Sequence, residues 1–214
     1  MVQQAVVMDS AYSKKEEFWN ALTHGVGCVL TIPGILLLMN KAFQEQSMLH
    51  LVSYLIFGIS MMLMFLASTL YHTVPAKKSL FKKLDHSAIF LLIAGTYTPV
   101  ALIAIGGKLG WTIVAIEWGL TLFGIIMKQF FVHRFKALSL ITYIGMGWIA
   151  IFVYEPLIEY ISMAGLVTLL LGGIFYTAGT YFYRNNKIPY NHAIWHVFVM
   201  AGCLMMYLTV YLYL

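Results

Sequence analysis

Apolar residues fall in seven runs, each long enough to cross a hydrocarbon core of about 30 Å as a helix. They lie near 20–42, 48–72, 85–106, 110–130, 137–154, 161–183 and 192–213. The polar stretches between them are brief, so neighbouring helices are expected to run antiparallel. Strands are excluded on physical grounds. A bilayer has no water to satisfy an open sheet edge, and the runs lack the alternation of a barrel. The pattern predicts an all-α membrane protein, a seven-transmembrane helix bundle over 20–214. A polar cytoplasmic segment, 1–19, precedes it.

Composition agrees with this reading. Of 214 residues, 61% are hydrophobic and 10% charged, against about a quarter charged in soluble domains. No polar stretch is long enough to fold alone, so one domain is expected. The first nineteen residues are polar and mixed in charge, unlike a signal peptide. Cys28 and Cys203 both fall inside apolar runs and imply no disulfide framework.

The net charge of +5 implies no nucleic-acid partner, and its distribution gives the orientation. Lys14, Lys15, Lys77, Lys78, Lys82, Lys83, Lys128, Arg134, Lys136, Arg184 and Lys187 share the N-terminal side. Only Lys41 and Lys108 lie opposite, with Glu45, Glu155 and Glu159. The N-terminus is therefore expected in the cytoplasm and the C-terminus outside. That topology is opposite to the one found in G-protein-coupled receptors. Pro33 and Pro99 are expected to kink helices 1 and 3. Gly145, Gly147, Gly172 and Gly173 are expected to let backbones approach closely. Tyr207, Tyr211 and Tyr213 read as an interfacial belt.

Within that topology the ionisable residues gather. His192 and His196 lie four apart at the head of the last run, about 40° apart around the helix axis. Ser68 and His72 repeat the spacing at the end of helix 2. Asp85 and His86 begin helix 3, and Asn20 and His24 begin helix 1. All fall in one cytoplasmic layer; His50 and His133 lie elsewhere. Three imidazoles, from His72, His192 and His196, suit Zn²⁺ and leave a fourth position for water. Zinc would bring the pKa of that water to roughly 7. Asp85 would then act as general base, and Ser68 would hydrogen-bond a carbonyl or oxyanion.

Each residue also has a plainer reading. His72 alone serves as well as an interfacial anchor. Asp85 serves as well as an N-terminal cap for helix 3. An HxxxH spacing arises by chance. His24 and His86 are read as supporting or packing groups, and Glu117, deep in helix 4, as a separate buried acid, protonated or paired. The conjunction of two i, i+4 pairs and an acid from three helices at one depth favours the metal.

The same residues carry a resemblance. Ser68-x-x-x-His72, Asp85 and His192-x-x-x-His196 resemble the signature of the progestin and adipoQ receptor family. Glu17-x-x-Asn20-x-x-x-His24-Gly25-x-Gly27 and Ser68-Thr69-Leu70-Tyr71-His72 resemble its bacterial branch, hemolysin III. The likeness runs from about residue 16 to the end of the chain. The wider superfamily includes the alkaline ceramidases. The resemblance implies zinc on the three histidines near the cytoplasmic face, Asp85 reaching it through water, and Ser68 close by. It also implies a multi-pass protein of the bacterial inner membrane, tied to membrane lipid homeostasis or to red-cell lysis. Short outer loops speak against a protein hormone as partner. Three functions are carried forward: a zinc-dependent hydrolase of a membrane lipid amide or ester, a pore-forming cytolysin, and a non-catalytic sensor with structural zinc.

Overall fold

The computed structural model describes residues 12–131 and 136–214. Every regular element among them is helical: α1 Lys14–Gln44, α2 Met48–Thr73, α3 Lys78–Pro99, α4 Gly107–Phe131, α5 Lys136–Gly147, α6 Tyr154–Tyr160, α7 Met163–Arg184 and α8 Asn191–Tyr213. Seven spans are long and apolar enough to cross a membrane, the fifth made of α5, a 3₁₀ turn over Ile149–Val153, and α6. His133 and Arg134 lie outside the described residues.

The solvent this fold expects is legible in its burial. Large apolar side chains such as Leu30, Leu36, Leu122 and Phe152 point outward, whereas Asn20, Ser68, His72, Thr98 and Glu117 are buried. Polar groups inside and apolar groups outside invert the usual rule and suit a hydrocarbon surround. The chain is a multi-pass membrane protein.

Three boundaries differ from the sequence expectation, each for a local reason. α1 begins at Lys14, not 20, because Ser13 and Glu16 form a reciprocal capping box that starts the helix inside the polar segment. α3 begins at Lys78, so Asp85 stands in its third turn and does not cap it. The fifth span breaks after Gly147, where a 3₁₀ turn leads to a short helix containing Pro156. Pro33 is accommodated within an unbroken α1. Pro99 ends α3, and Val100–Ile105 continues as a π-helix.

Close approach is made at Gly172, where a Cβ would strike Met206 at 2.7 Å, and at other glycines than Gly145 and Gly147. A Cβ at Gly145 or Gly147 would meet nothing, while one at Gly95 would strike Ser60 and one at Gly124 the Phe90 ring. Gly106 and Gly107, at φ +65° and +54°, turn the chain into α4. A Cβ on Gly110 would then collide with the backbone carbonyl of Ala101. Backbone cannot swing aside as a side chain does. Gly110→Ala is therefore expected to cost about 1–3 kcal/mol, read as a lower midpoint of thermal unfolding in detergent. The C-terminal tyrosines Tyr207, Tyr211 and Tyr213 are half-buried. The Tyr207 hydroxyl donates to the Gly34 carbonyl at 3.0 Å, joining α8 to α1.

Candidate metal centre

Four spans converge at the end of the bundle where α1 and α8 begin and α2 ends. α2 brings His72 in its last turn, and α8 brings His192 and His196 from its first two turns. The three rings are buried, with centroids 4.5–5.3 Å apart. One nitrogen from each lies within 4.8 Å of the others. A tetrahedral ion with bonds of about 2.1 Å needs donors about 3.4 Å apart. Ring adjustments of about an ångström would close the difference.

Hydrogen bonds fix which nitrogens are free. His196 Nδ1 lies 3.0 Å from the Asn20 carbonyl and 3.1 Å from Thr23 Oγ1. A carbonyl only accepts, so Nδ1 carries the proton and Nε2 keeps the lone pair. His72 Nδ1 donates to Glu17, and its Nε2 is buried without a partner. Neither nitrogen of His192 has a partner among the described residues; its ring stacks on Tyr12 at 5.0 Å. Orphaned ring nitrogens are costly inside a protein. Their convergence fits a cation bound by neutral imidazoles. The donor set admits several transition metals.

The other expected residues take distinct places. Asp85 lines one cavity with His24, His86, His192 and His196. Its Oδ2 is 3.4 Å from His86 Nδ1. Ser68 is fully buried, one turn before His72, and its Oγ has no partner. His24 lies flat against His196, centroids 3.6 Å apart, with both nitrogens unsatisfied. His50 sits apart from this layer, with Ser47 and Glu45. Glu117 is buried, and its carboxylate has no hydrogen-bond partner among the described residues. It belongs to the α3–α4 interface, not to this site.

Glu17 enters the sequence reading only through the family motif and Lys78 only as an orienting charge; that reading places neither of them, nor Tyr12, at the histidines. Glu17 had a usable signal: an acid three residues before Asn20, on the helix face that reaches the histidine layer. The cavity itself, about 130 Å³, runs from the histidines between α3, α5, α7 and α8. A second of about 160 Å³ shares Thr96, Tyr97, Gly147, Trp148, Gly173 and Met206 with it and continues to Tyr154 and Leu157.

Comparison with known proteins places this arrangement among relatives. The sequence model of the family described as "Haemolysin-III related" matches residues 12–207. The chain is 48% identical to "Hemolysin-3" of Bacillus cereus over 201 residues, 93% of this chain and 92% of that one. It is 47% identical to the "Hemolysin-3 homolog" of Bacillus subtilis (strain 168) over 204 residues, covering 94% and 96%. A more distant relative is the human "Monocyte to macrophage differentiation factor", 29% identical over 170 residues, 74% of this chain and 69% of that one.

Proposed function

We propose, for a chain that belongs to the haemolysin-III related family, a zinc-dependent hydrolase that cleaves an amide or ester of a membrane lipid. The observation that carries this reading is the three-imidazole cluster, two of whose rings, His192 and His196, line an apolar cavity. A purely structural site has no need of such a space beside it. The lipid enters between helices, its acyl chain lying in the two adjoining cavities and its carbonyl at the histidines. His72, His192 and His196 would hold the zinc, which when bound would supply Lewis acidity and an acidified water. Asp85 takes the proton of the attacking water and returns it to the leaving nitrogen or oxygen. Ser68 Oγ donates a hydrogen bond to the carbonyl oxygen as charge builds there. Water adds across the bond, yielding an acid and an amine or alcohol.

The placement of basic residues supports a cytoplasmic N-terminus and an outer C-terminus. The site then lies near the cytoplasmic face of the bacterial inner membrane, in one domain. The pore-forming reading is weaker, because many large apolar side chains on the spans, such as Leu30, Leu36 and Leu122, face outward.

The test is lipid profiling of cells that lack the protein, express it, or express His196→Ala. A lipid fragment that appears only with the unaltered protein is the expected result. Ion leakage that survives His196→Ala, with no lipid change, would favour a pore instead.

A further inference from the structure

The geometry points to Glu17 as the positioning residue of the metal centre, holding His72 through its Nδ1 proton. The inference rests on the reading of the three histidines as metal ligands. Glu17 lies in the first turn of α1, in a helix started by the Ser13–Glu16 capping box. Its side chain is 14% exposed, and the His72 side chain is fully buried. Both carboxylate oxygens are engaged. Oε2 accepts from His72 Nδ1, and Oε1 accepts from Lys78 Nζ at 2.7 Å. Lys78, the first residue of α3, also lies over the Tyr71 ring at 4.4 Å. One carboxylate therefore ties α1 to the end of α2 and the start of α3.

Three consequences follow from elementary chemistry. An ionised carboxylate only accepts, so His72 must hold its proton on Nδ1 and present Nε2 as donor. The ring can no longer rotate freely, because leaving the carboxylate would strand a buried charge. The anion also pushes electron density into the ring and makes Nε2 a stronger ligand. Lys78 offsets the cost of keeping that anion nearly out of water. The same face of α1 serves a second ligand, since the Asn20 carbonyl fixes the tautomer of His196. α1 donates no ligand, yet it orients two of the three.

The test titrates zinc against a chelator in the purified, full-length protein and in Glu17→Gln. The amide keeps the shape and an accepting oxygen but loses the charge. A fall in zinc affinity of about 10- to 100-fold is expected, with a shifted visible spectrum when cobalt(II) replaces zinc. A mere clamp between helices would lower thermal stability and leave both readings unchanged, and that outcome overturns the proposal. A second measurement needs no variant. Nitrogen-15 spectra of the zinc-loaded parent should show His72 protonated at Nδ1 and metallated at Nε2; metallation at Nδ1 overturns the proposal. A parent that binds no zinc would instead refute the metal reading beneath it.

Discussion

Alanine at both His192 and His196 is expected to leave the purified protein without metal, where the parent is expected to carry about one ion per chain. A zinc site built by folding is worth on the order of 10 kcal/mol. Removing two of three donors leaves His72 alone, and one imidazole competes poorly with water. The substitutions are mild for the helix, since alanine is the best helix former and α8 runs on to Tyr213. They do remove two buried rings, so gel filtration in detergent must first show a folded protein. Elemental analysis by mass spectrometry, before and after dialysis against zinc, then gives the answer. A double variant that keeps its ion would eliminate these residues as the ligands.

Asp85→Asn is expected to keep the metal and lose hydrolysis by a factor of about 10²–10⁴, the usual contribution of a general base. Asparagine has nearly the same shape but cannot take a proton. Asp85 lies in the third turn of α3, which starts at Lys78. Its loss therefore removes no helix cap, and a lost rate cannot be blamed on a frayed helix. Its carboxylate lines the cavity beside His192 and His196, within 3.4 Å of His86 Nδ1. Product formed from an extracted lipid pool, measured alongside metal content, separates the two effects. An unchanged rate would remove Asp85 as the base; a lost metal would make it part of the metal's hold.

Much of this fold can be read from hydrophobic runs, because a bilayer demands about 20 apolar residues per crossing and offers no alternative to a helix. The ends are harder. α1 starts early through a local hydrogen-bond exchange between Ser13 and Glu16, which hydropathy does not register. α3 extends back to Lys78 because Lys82 and Lys83 are good helix formers despite their charge. The break after Gly147 depends on packing, with Trp148 donating to Thr177 and Tyr97 accepting from the Ala150 amide. For the site, i, i+4 spacing puts His192 and His196 on one face by helix geometry alone. His72 joins them only through the antiparallel return of α2, which the span count supplies. Glu17 stands in the family motif, but its pairing with His72, 55 positions away, is hidden. Side-chain pairing at such a distance leaves no periodic trace.

The span order sets the timing of assembly at the ribosome. His196 bonds to the Asn20 carbonyl 176 positions earlier, and it is carried by α8, which is made after α1 to α7. Before α8 is made, only one of the three clustered imidazoles, His72, is present. A metal held by His72, His192 and His196 would therefore need α8 in place, because two of the three imidazoles lie on it.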